Sequence, residues 1–196
     1  VAPMLISTEA PDYWALYLYI AVVTAAAFAL ARARLWRWLA ITAVAFSVFY
    51  MFPGIDDFVR DALLPHVFHG IVGYALAAAL IVSGLFYGPA SNGKVDGISS
   101  GALAGYLFAL AFLVVARNHE ARALYAFAIV CAATIAIAWR TESATAAVPA
   151  AAILAGLVLA QWAVELRVAS PLAAPGPLAG NVPELPKATF GSHLWL

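Results

Sequence analysis

Long uncharged runs alternate with short polar clusters along this chain, and the clusters hold all ten Lys/Arg and all ten Asp/Glu. The runs reach about 20 residues, the length at which a helix rising 1.5 Å per residue crosses a hydrocarbon core of about 30 Å. A helix also lets such a run satisfy its own backbone groups where no water is available. The pattern predicts an all-α fold, a polytopic transmembrane helix bundle with about six spans at 13–31, 35–52, 67–87, 98–116, 121–139 and 146–164.

Local signals mark the ends of these runs. Tyr13, Trp14, Tyr17 and Tyr19 crowd the start of the first span, where aromatic side chains suit the headgroup level. Arg32, Arg34 and Arg37 occupy a connection short enough to force a hairpin, with Trp36 and Trp38 at the entry to the second span. Pro53 and Gly54 end that span, since proline cannot continue the hydrogen-bond ladder. Ile55, Phe58, Val59, Ala62 and Leu63 then recur at helical spacing, opposite Asp56, Asp57, Arg60 and Asp61. That spacing predicts a short amphipathic helix over 55–64 lying in the membrane interface. Pro65 fits the first turn of the third span, where its missing donor costs nothing. Prolines 171, 175, 177, 183 and 186 make residues 170–196 a proline-rich connector or tail, cut short, after a bundle formed by 1–169.

Composition agrees with this pattern. Hydrophobic residues are 65% of the chain and charged residues 10%, against about 45–50% and about 25% in soluble domains. A formal net charge of zero provides no basic surface for nucleic acid, and that partner is excluded. The lone cysteine, Cys131, sits in an apolar run and reads as a packing residue. Three arginines in the first hairpin loop and no basic residue before the first span put that loop in the cytoplasm and the N-terminal end outside. The second half carries its basic residues evenly and leaves the same rule undecided.

Helices in lipid gain little by burying apolar surface on one another, so small residues mark the expected contact faces. Gly101 and Gly105 form a GxxxG pair extended by Ala109. Gly73, Ala77, Gly84 and Gly88 line one face of the third span, and Ala152, Gly156 and Ala160 one face of the sixth. These stripes predict packing within the chain, with a homo-oligomer as their other use.

Candidate chemistry is sparse. His66 and His69 lie three apart, near Asp56, Asp57 and Asp61. Two imidazoles on one helix face, completed by a carboxylate, are a possible metal or catalytic set. The plainer reading has them hydrogen-bonding water and headgroups at the interface. Asp57 and Asp61 also match the DxxxD spacing with which aspartate-rich lipid prenyltransferases hold magnesium diphosphate, but the second acidic motif is missing and amphipathicity explains the pair. Haem ligation would need a second histidine within the membrane, and His119 falls in a loop, so no cofactor is assigned. Tyr13, Tyr17 and Thr24 share a stripe of the first span, and Gln161 and Glu165 are four apart in the sixth. A polar path is one reading of them. The preferred one makes the tyrosines interfacial, has Thr24 bond its own backbone and puts Glu165 at the exit to water. Charges deep in the spans, common in coupled pumps, are missing from the pattern.

The opening stretch, PMLISTEAPDYWALYLYIAVVTAAAFALARARLWRWLA, resembles a recurring segment of the bacterial predicted membrane proteins known as domain of unknown function 2339. Pro3, Ser7, Thr8, Tyr19, Arg34, Trp36, Trp38 and Leu39 carry the likeness, which is specific over about the first 40 residues. The resemblance implies a bacterial inner-membrane location and an internal piece of a longer chain. It implies no activity and no catalytic residue.

The function expected from these readings is a non-catalytic transport, envelope-organising or scaffolding segment of a larger polytopic protein. Its expected partners are the lipid bilayer and further transmembrane helices of the same chain. The rival is a membrane-embedded enzyme acting on a lipid-linked substrate at the outer interface through Asp56, Asp57, Asp61, His66 and His69.

Overall fold

The computed structural model describes residues 12–52, 63–85, 94–172 and 190–194, and its regular elements there are all helical. In chain order they are α1 (Tyr13–Arg34), α2 (Arg37–Phe49), α3 (Leu63–Val82), α4 (Gly97–Ala116), α5 (Ala121–Arg140), a 3-10 turn (Glu142–Ala144), α6 (Ala147–Leu172) and α7 (Phe190–His193). α1, α3, α4, α5 and the 3-10 turn continued into α6 are each long and apolar enough to cross a membrane. A helical membrane bundle is therefore the fold. The proposed interfacial segment, with Asp56, Asp57 and Asp61, lies outside the described residues up to position 62, and Leu63 and Leu64 open α3.

α1 begins where the Asp12 carboxylate accepts hydrogen bonds from the Trp14 and Ala15 amides at 3.0 and 3.2 Å, replacing helical partners that the first turn lacks. It ends at Leu35, which is left-handed at φ 55°, and Trp36 N–H reaches back to the Ala31 carbonyl at 2.9 Å. Leu35 thus belongs to the reversal and not to the second span.

That second span is the main departure from the sequence pattern. Helical geometry covers only the 13 residues of α2, against the 18 expected over 35–52. The apolar run counted residues that the backbone spends on turning. Past Phe49 the Met51 and Phe52 amides bond to Val48 and Phe49 carbonyls three residues back, the tightening by which a helix finishes. The third span likewise closes early, at Val82 and not at 87. Gly84 adopts φ 79° there, and Leu85 N–H bonds the Leu80 carbonyl at 3.1 Å, a C-terminal capping arrangement that needs glycine's freedom. Conversely α6 continues through Pro171 to Leu172, past the expected start of the connector at 170.

α4 is the centre. It packs against α2, α3, α5, α6 and the 3-10 turn, whereas α1 packs only beside α2 and α3 among the closer pairings. The start of α4 is anchored through Asp96, whose carboxylate takes the Ser99 amide at 2.8 Å and the Ser99 hydroxyl at 2.6 Å. The Asp96 amide and Ser100 hydroxyl both donate to the Ser143 carbonyl at 3.0 Å.

The predicted glycine faces separate under packing. Gly73 is held against the Tyr106 ring, where an added Cβ would stand 2.5 Å from a ring carbon. Gly105 meets Val48 at ordinary contact distance, while Gly101 and Gly156 have nothing within 4 Å among the described residues. Gly84 serves the turn. On α6 the expected stripe Ala152, Gly156 and Ala160 faces outward, and Ala147, Ala151, Ala155 and Val158 are buried in its place. Two stripes of small residues run down an alanine-rich helix, and the positions of α4 and α5 select between them. Gly70, which no motif marked, is crowded by Leu110 and Met51.

Candidate functional site

His66 and His69 are brought together on the inward face of α3, both essentially fully buried. Their spacing of three places them on one side of the helix. Tyr13 and Tyr17, four apart on α1, face them. The Tyr17 ring stacks on the His69 imidazole at 4.6 Å between centroids and 8° between planes, and meets His66 edge-on at 5.1 Å. Tyr13 lies against His66 at 5.2 Å and against Tyr17 at 6.1 Å. This corrects two expectations. The tyrosines are not belt residues, since the exposed aromatics at this end are Trp14 and Tyr19. The histidines are not immersed in interfacial water.

The purpose of the cluster follows from where α2 stops. Met51 touches Gly70, seven residues into α3 and thus about 10 Å from its start at 1.5 Å per residue. Phe52 packs its ring against Phe108 and Phe112 of α4, short of that helix's end at Ala116. The end of α2 is therefore inside the bundle at a depth the neighbouring spans pass through. Its closing turns bond the Phe46, Val48 and Phe49 carbonyls but leave those of Ser47 and Tyr50 without a backbone donor among the described residues, and lipid supplies none. His69 Nε2 bonds the Ser47 carbonyl at 2.8 Å, and the Tyr17 hydroxyl donates to the Tyr50 carbonyl over 3.4 Å. A carbonyl can only accept, so the His69 proton resides on Nε2. Side chains of α1 and α3 thus close the open end of α2. Two more buried hydroxyls adjoin this region, Ser47 Oγ and Tyr106 Oη, and they interact with each other.

Among the described residues no group of three His, Cys, Asp or Glu is assembled around the pair. The three aspartates proposed to join it lie outside them. Thr24 is buried on α1 but lies on the apolar groove between α1 and α2, not in the histidine cluster.

A second polar cluster escaped the sequence reading. His119, in the α4–α5 turn, is fully buried although its backbone is left-handed at φ 55°. His119 Nδ1 lies 3.1 Å from His193 Nε2 of α7, and its Nε2 bonds the Gln161 side-chain oxygen. Gln161 in turn donates to Glu165. The amide oxygen accepts only, so His119 Nε2 carries a proton, and in the neutral imidazole Nδ1 receives from His193. With His119 neutral, the hydrogen bonds run in one direction, from His193 through His119 and Gln161 to the carboxylate. Trp162 stacks on His193 at 4.2 Å between centroids. Glu165 is accordingly half-buried in a network and not simply an exit marker. The spacing of Gln161 and Glu165 was the one visible trace. Nothing local in the sequence joins His119 to a residue 74 positions away.

Five apolar crossing helices and one short helix capped from its neighbours define a polytopic α-helical integral membrane protein. The family known as DUF2339, described as predicted membrane protein, matches residues 1–174, and the chain belongs to that family. The match extends the likeness of the first 40 residues across all of α1 to α6. No curated protein and no solved structure matches the chain.

Proposed function

We propose that this chain is a non-catalytic scaffolding segment of a larger polytopic protein in the bacterial inner membrane, with α1 starting on the outer side. The observation that carries the reading is the use made of His69 and Tyr17, whose polar atoms are directed at backbone carbonyls of α2. In such a role polar side chains hold helices together where the hydrophobic effect cannot. The outward faces fit the same role. Val22, Ile129, Trp139 and Leu157 project from three different helices, a surface suited to lipid and to further helices of a longer chain. The exposed arginines of the α1–α2 hairpin support the assigned orientation.

The test is His69→Ala expressed in cells and purified into lipid nanodiscs. A scaffolding role expects a lower melting temperature and lower abundance, with any phenotype restored when expression is raised to the normal protein level. A variant that melts and accumulates normally yet behaves as a deletion would transfer the imidazole to chemistry and overturn the reading.

A further inference from the structure

The α1–α2 hairpin carries two features that the cluster above leaves unused. One is a groove of about 370 Å³ between the two helices, lined chiefly by apolar side chains, among them Val23, Ala27, Leu39, Ala43 and Phe46. The other is the hairpin turn itself. Arg32, Arg34 and Arg37 are all exposed there, and none meets a carboxylate among the described residues. Trp36 and Trp38 stack beside them at 5.9 Å between centroids, and both are exposed.

The two features follow one another along the hairpin. Along α2 the groove opens at Leu39, two residues beyond Arg37, and runs to Tyr50. Eleven residues of rise make it about 16 Å long, close to the thickness of one leaflet of an approximately 30 Å hydrocarbon core. A helix about 10 Å across and of that length would displace roughly 1,200 Å³, more than the about 930 Å³ of empty space in the groove, its open mouth included. An acyl chain is slender enough to fit. At the groove's mouth, guanidinium groups offer the planar donor geometry that phosphate oxygens accept. The tryptophan pair sits where indoles meet headgroups, and clustered arginines beside a span draw anionic lipid.

We propose that the α1–α2 hairpin is a binding site for an anionic phospholipid, with the phosphate held by Arg32, Arg34 and Arg37 and one acyl chain lying in the groove. The lipid would then lock the flank of α1 to α2, the pair of helices between which the groove remains open.

Native mass spectrometry of the purified chain, delipidated and titrated with phosphatidylglycerol or chain-matched phosphatidylcholine, tests this. Phosphatidylglycerol is expected to bind at least about fivefold more tightly, and R32Q/R34Q/R37Q to erase the preference while leaving helical content unchanged. Ala43→Phe, which fills the groove, is expected to weaken long-chain phosphatidylglycerol but not a dihexanoyl analogue. Free glycerol phosphate should not compete. Equal binding of both lipids, a preference that survives the triple variant, or full competition by glycerol phosphate would each overturn the site. A photo-crosslinking residue at Ala43 in intact membranes gives an independent reading. Lipid adducts support the proposal, whereas crosslinks to protein would assign the groove to another helix.

Discussion

The two histidine clusters reach burial by different routes. Around His69, aromatic rings of α1 and α3 stack on one another and their polar atoms are directed at the backbone of α2. Around His119, side chains bond to side chains in a single series, from His193 to Glu165. The first serves carbonyls that would otherwise be stranded at depth beside lipid. The second lies at a helix–helix turn and joins α7, a helix of four residues, to the bundle. A polar group is thus held in place by what its loss would leave behind, and that differs between the two. A backbone carbonyl at depth has no substitute partner, while side chains at a turn can exchange one another for water.

This contrast makes graded predictions, each read from thermal unfolding in detergent or nanodiscs unless another measurement is named. His69→Ala should have the largest effect, a loss of about 2–3 kcal/mol, because it orphans the Ser47 carbonyl as well as removing packing. His69→Gln, whose amide can still donate, should recover part of it. If His69→Ala melts like the parent, the end of α2 does not depend on this bond. His119→Ala should cost about 1 kcal/mol. Its more telling sign is release of the C-terminal segment, seen as faster proteolysis near His193, and an unchanged cleavage pattern would break the proposed link to α7. Tyr17→Phe keeps the stacking and deletes only a long hydrogen bond, so about 0.6 kcal/mol or less is expected. A larger loss would mean that the hydroxyl, not the ring, dominates. Leu35→Gly should move the other way, stabilising by about 0.5 kcal/mol by relieving a left-handed leucine at a site remote from both clusters. It serves as a control that small changes of either sign can be resolved.

The sequence was most legible where composition alone constrained the answer. Uncharged runs of spanning length led to the helices, and the hairpin was readable from Arg32, Arg34 and Arg37. Boundaries were less so, because hydropathy does not distinguish a helical apolar residue from a turning one. Leu35 and Met51 are as apolar as any span residue, yet each lies in a reversal or turn. Of the candidate site, the spacing of His66 and His69 shows that they share a helix face, but not that aromatic rings of α1 enclose them. Their neighbours Tyr13 and Tyr17 were also noted, but on another helix and for another reason. Pairing the two observations required knowing that α1 packs on α3.

Membrane residence and helical class were determined by the sequence itself, because a chain so poor in charge has no other way to shelter its apolar side chains and to bond its backbone. Which side of each helix turns inward was decided only by tertiary structure. α6 carries small residues on more than one face, and its contacts with α4 and α5 chose Ala151 and Ala155 over Ala152 and Gly156. The early end of α2 was decided in the same way, by donors 22 and 33 residues distant in sequence that could accept the role only once three helices had come together.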